Sequence, residues 1–123
     1  MLYAILCYHS EDVVGAWSKE EDDAVMARLT VVKDRLSAQG KLGPTARLLP
    51  TTSATTLRKD REPGLVLDGP FAETKEQLLG FYVVDVASLD EALEIARDLG
   101  KVNPGGSYEL RPIGYFTEGS LPA

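Results

Sequence analysis

A chain of 123 residues, 44% hydrophobic and 26% charged, has the size and composition of one soluble globular domain. A net charge of -6 excludes a nucleic-acid partner, because phosphate neutralisation needs clustered Lys and Arg. A single Cys and a single His exclude an internal disulfide and a zinc site of the usual spacing, and no metal or cofactor is expected.

Residues Leu2 to Tyr8 are apolar at odd and even positions, which predicts a strand buried on both faces and central in its sheet. The run is too short for a membrane span and lacks the flanks of a signal peptide, so a cytoplasmic location is expected. Within it, Cys7 reads as a small core residue. Trp17 reads as a local packing group.

A capping box, Ser18-Lys19-Glu20-Glu21, opens the first predicted helix. Val25, Leu29, Val32 and Leu36 recur on one face, and Gly40 supplies the stop. Thr45 to Leu49 reads as an outer strand. The next segment, Thr51 to Gln77, is long for a connection in a compact domain, and such connections are usually functional or flexible. Inside it, Ala54 to Lys59 and Gly64 to Leu67 flank Asp60-Arg61-Glu62-Pro63, which predicts a small hairpin.

Phe81 to Val86 reads as the second central strand. A second helix opens at Ser88, lines its face with Leu89, Ala92, Leu93 and Ala96, and is expected to end at Gly100. Tyr108 to Ile113 closes the set as an outer strand, with Arg111 a candidate anchor for a dimer contact, and Glu118 to Ala123 reads as a flexible tail to a domain of residues 1–117.

Two strand-helix-strand units most economically form a ferredoxin-like βαββαβ sandwich, an α+β fold with both helices on one sheet face and an extra hairpin. Its other face is left uncovered although its central strands are apolar on both sides, which predicts a homodimer packed sheet against sheet.

This topology gathers His9, the start of the first helix, the Thr51 to Gln77 excursion and the loop Gly100 to Gly106 at one end of the sheet. Histidine is the side chain best suited to proton exchange near neutral pH, so His9 is a candidate catalytic residue. Asp68 is the second, as a base or as the group that orients His9; Asp before Gly69-Pro70 serves equally as a turn or cap, with Pro70 set for a helical turn. Arg58, Glu73 and Lys75 are the candidate ligand-binding residues: Arg58 offers a planar fork and Lys75 a point charge to a small anionic organic ligand, and either can instead pair with Glu73 or Glu76. Pro104-Gly105-Gly106 precedes a strand and does not have the form of a phosphate-cradling loop.

Asp68-Gly69-Pro70-Phe71, followed by Ala72-Glu73-Thr74-Lys75-Glu76, resembles the DGPF group of YCII-related proteins. Thr55-Thr56-Leu57-Arg58, Gly80-Phe81-Tyr82, Ser88-Leu89-Asp90-Glu91-Ala92 and Glu109-Leu110-Arg111-Pro112-Ile113 extend the resemblance over nearly the whole chain. It implies a ferredoxin-like fold, a dimeric α/β barrel, a bacterial cytoplasmic setting and an association with extracytoplasmic-function sigma factor pathways.

The wider family is suspected of enzymatic activity because of a histidine in the first helix and an aspartate before a proline after the second. In this chain those positions fall on Val25 and on Asn103 before Pro104, and neither Val nor Asn can exchange a proton. His9 and Asp68 are the acid-base candidates that remain. Two readings follow: a small-molecule enzyme with proton-transfer chemistry of isomerase, lyase or dehalogenase type at a dimer-associated cleft, or a ligand-binding or regulatory module without turnover.

Overall fold

The computed structural model describes residues 1–122; Ala123, the last residue of the expected tail, lies outside the described residues. The elements in chain order are β1 (Leu2–His9), α1 (Glu11–Gly15), α2 (Lys19–Ala38), β2 (Leu42–Arg47), a 3-10 turn (Thr51–Ser53), β3 (Thr55–Arg58), β4 (Leu65–Asp68), β5 (Gln77–Asp85), α3 (Leu89–Lys101) and β6 (Ser107–Pro112). β2, β5, β1 and β6 form one antiparallel sheet in that order, and β3 pairs with β4 in a separate hairpin. This is a mixed α+β architecture consistent with the ferredoxin-like arrangement, with β1 and β5 at its centre. The sheet is open, with β2 and β6 as its edges, and no barrel closes within the chain.

Alternation along the strands explains the core. Tyr3 and Ile5 of β1 and Val84 of β5 point to the helices, where they join Val25, Leu29, Val32 and Leu36 of α2 and Ala92, Ile95, Ala96 and Leu99 of α3. Their alternates, Ala4 and Leu6, fall on the opposite face and are only half-buried. The α2 face and its capping box are those read from the sequence: Ser18 Oγ accepts from the Glu21 N–H at 3.0 Å, and Glu21 accepts from the Ser18 N–H at 3.2 Å. Gly40 leaves α2 at φ 71°, a backbone state that glycine adopts without Cβ strain.

Four expectations need correction. Gly100 lies inside α3, which runs to Lys101 with Val102 as its C-cap, because Gly100 does not take the left-handed conformation that ends a helix. The buried face of α3 is Ala92, Ile95, Ala96 and Leu99; Leu89, at its first turn, is exposed. Pro70 begins no helix, and residues 69–76 are irregular. The five-residue α1 was missed, since a run so short carries no periodic signal of its own.

A polar knot ties the long excursion to the body. The Thr51 N–H donates to Glu11 Oε2 at 2.6 Å, the Thr51 hydroxyl donates to Glu11 Oε1, and the Glu11 N–H donates to Gln77 Oε1 at 2.9 Å. Glu11 of α1 thereby holds the start of the excursion, and Gln77 its end, at the mouth of the sheet.

Candidate functional site

At the carboxyl end of β1 the register shifts between Cys7 and Tyr8, and His9 is brought opposite Gln77, the first residue of β5. The loop before β6 folds over the imidazole. Gly105 and Gly106 have φ of 77° and 76°; a Cβ on Gly105 would lie 2.6 Å from His9 Nε2, and one on Gly106 would overlap the Tyr8 carbonyl. Only glycines permit this close approach.

Both ring nitrogens of His9 are engaged by main chain. The Ser10 N–H donates to Nδ1 at 2.8 Å, which leaves the hydrogen of the neutral ring on Nε2, and Nε2 donates to the Pro104 carbonyl at 3.2 Å. Trp17 stands edge-on to the ring with centroids 6.3 Å apart and planes at 84°, close packing that the reading of Trp17 as a packing group anticipates.

His9 opens into a cleft of about 220 Å³ between α2 and the sheet. Its walls are largely apolar: Val14, Trp17, Val25, Met26 and Leu29 on the helical side, Cys7, Tyr82 and Tyr108 on the sheet side. Burial pushes the Cys7 thiol up to about 12, so it stays protonated and inert near neutral pH. Burial first, and then the neighbouring Tyr108 and Cys7, raise the Tyr82 phenol above its ordinary value. Burial likewise raises Tyr108, against a smaller lowering by the hydrogen bond from Asn103. Asn103 Nδ2 donates to Tyr108 Oη at 2.9 Å, which leaves the Tyr108 hydrogen free to donate elsewhere.

Three charged side chains also line the cleft: Asp22 and Lys33 from α2, and Arg47 from β2. Arg47 grips Asp22 through both terminal nitrogens, Nη1 to Oδ2 at 3.2 Å and Nη2 to Oδ1 at 2.9 Å. Lys33 forms no ion pair with any described residue. These three, with the two tyrosines, were not singled out from the sequence. A signal was available in the spacing: Asp22, Met26, Leu29 and Lys33 recur at steps of four, three and four, a stripe that meets the core stripe of α2 at Leu29.

The remaining sequence candidates do not line this cleft. Asp68 ends β4 exposed, opposite Thr55; the hairpin closes there as the Gly69 N–H donates to the Ala54 carbonyl and the Thr56 hydroxyl donates to the Gly69 carbonyl, both at 2.8 Å. Arg58 pairs with Asp60 at 3.3 Å and lies 5.7 Å from the Phe71 ring centroid, in place of the expected Glu73 or Glu76 partner. Glu73 borders a separate shallow depression with Thr51, Pro70 and Thr74. Lys75 is exposed and unpaired among the described residues. Arg111 lies 3.8 Å from Glu109 on the uncovered sheet face.

The site is a small, donor-rich cleft at one end of an α+β domain of ferredoxin-like type. The YCII-related domain model matches residues 1–117, and the chain belongs to that family. An uncharacterised protein of Rhizobium meliloti (strain 1021) is 60% identical over 124 residues, covering 100% of both chains. Val25 and Asn103 both line the His9 cleft.

Proposed function

We propose that the protein binds a small organic molecule in the His9 cleft and assists proton transfer there, in a reaction of isomerase, lyase or dehalogenase type. The observation that carries this reading is that His9 opens into a cleft also lined by Val25 and Asn103, the positions at which the resemblance implies the wider family's histidine and aspartate. With Nδ1 held by the Ser10 N–H, His9 acts through its Nε2–H, which exchanges the Pro104 carbonyl for an oxygen of the ligand. A neutral imidazole used in this way polarises a carbonyl oxygen of the ligand.

Asp68 belongs to the hairpin. We assign it, together with Arg58, Glu73 and Lys75, to the surface that a second copy would meet, since it is exposed at the base of the hairpin. The uncovered sheet face bearing Ala4 and Leu6 supports a sheet-to-sheet homodimer, in which two open sheets would make the barrel expected from the resemblance. Sedimentation at micromolar concentration is expected to give the mass of two chains, and a monomer at all concentrations overturns the dimer.

A second reading, a ligand-binding or regulatory module without turnover, is favoured by one observation: both His9 nitrogens already have main-chain partners. A thermal-shift screen of a metabolite library on wild type, His9→Ala and Asp68→Ala, followed by NMR of each hit for turnover, separates the two. Hits that stabilise wild type and Asp68→Ala but not His9→Ala, and that are converted by wild type, support the enzyme; such hits without conversion support the module. Hits indifferent to His9→Ala overturn the site.

A further inference from the structure

We infer that the ligand of the His9 cleft is a small carboxylate with a flat or compact apolar body, recognised by Arg47 and Lys33; this rests on the reading of the cleft as the ligand site. Size is the first constraint. A volume of about 220 Å³ falls below the roughly 300–1,000 Å³ typical of drug-sized ligands, which leaves room for a single ring or a short branched chain.

Charge is the second constraint. In a chain of net charge -6, the cleft collects two cations, Arg47 and Lys33, against one acid, Asp22. Each Asp22 oxygen accepts from Arg47, and Lys33 has no ion-pair partner among the described residues, so the cleft lining carries one positive charge in excess. A monoanion neutralises it. A cationic ligand would meet only an acid that is already paired.

Donor geometry is the third. A guanidinium carries five N–H groups, and the bidentate contact with Asp22 uses two of them, which leaves three for a ligand. Asp22 is thus a positioning residue that fixes the plane of Arg47, while Arg47 offers its free donors to the carboxylate. The phenols, kept protonated by burial, offer hydrogens and add no negative charge. Lys33 lies three helical turns from Asp22 on the same stripe and lines the same cleft.

Benzoate, phenylacetate and their neutral amides are the probes, titrated by calorimetry and by NMR of the aromatic side chains. Wild type, Arg47→Lys, Lys33→Met and a remote control, Arg97→Lys, are compared at low and high salt. The acids are expected to bind at least tenfold more tightly than the amides, shifting the Trp17, Tyr82 and Tyr108 signals. Lys33→Met is expected to remove most of that preference, and Arg47→Lys, which keeps the charge but loses the planar fork, to weaken acid binding more than amide binding, whereas Arg97→Lys alters neither. Amides binding as well as acids at the same residues, or an acid preference untouched by both substitutions, overturns the carboxylate class and leaves the cleft a ligand site. Library hits that all bind elsewhere overturn the site itself and the inference with it.

Discussion

In the sandwich body Ile5, Val84 and Leu99 are fully enclosed, whereas in the β3–β4 hairpin seven of the eight strand residues are exposed, Leu57 and Val66 among them. The body is held by apolar burial, which needs no directional partner. The hairpin is held by backbone pairing, the closure at Gly69 and the Glu11–Thr51 knot. Two strands of this kind are only marginally stable alone in water. The Asp68-Gly69-Pro70-Phe71 run therefore sits on the region that contributes least to the stability of a single chain, while the cleft sits on the region that contributes most.

Several measurements would break or sharpen that contrast. Leu99→Ala is expected to lose about 2–5 kcal/mol in urea denaturation, because it opens a cavity at a fully enclosed position. A loss near zero would mean that α3 is not a core helix. Gly106→Ala is the comparable test at the cleft: at φ 76° and in overlap with the Tyr8 carbonyl, the new Cβ forces the loop off His9, and the His9 ring signals are expected to shift. Ser18→Ala should cost about 1 kcal/mol through the lost capping box.

Stability should also fall as pH rises above the ordinary thiol value of 9.0 toward about 12. Cys7 has its pKa raised by burial, so the folded chain keeps a proton that the unfolded chain releases, and stability present below 9.0 is lost through that window. The raised phenols of Tyr82 and Tyr108 act in the same direction at the upper end. Cys7→Ala should flatten the early part of the fall, and an unchanged profile would place the thiol in contact with solvent.

Leu57→Ala carries the smallest expected effect, within about 0.5 kcal/mol, since the side chain is 59% exposed. A larger loss that grows with protein concentration would show that the hairpin is covered by a second copy. Glu11→Ala complements it, with faster hydrogen exchange across residues 51–76 and little change in the global melting temperature.

The geometry of the candidate cleft was partly legible. His9 was found because a lone histidine at a strand end is conspicuous, and the topology put it beside the 100–106 loop that does cover it. Asp68 was placed at the same end by the same reasoning; it ends β4 at the base of the hairpin and does not line the cleft. Arg47, Asp22 and Lys33 escaped notice because charged residues on a helix and an edge strand look solvated until packing shows which face they share.

Elements and core were set by local patterning: the capping box at Ser18, the α2 stripe from Val25 to Leu36, and the two-sided apolar run of β1 are read residue by residue, since periodicity of 2.0 or 3.6 is a property of neighbours in the chain. The length of α3 past Gly100 and the salt bridge between Asp22 and Arg47 were decided only by the tertiary structure. So was the fold of Gly105 and Gly106 over His9. Each joins groups that are distant in sequence, and their contact exists only once the sheet order β2-β5-β1-β6 has brought them together.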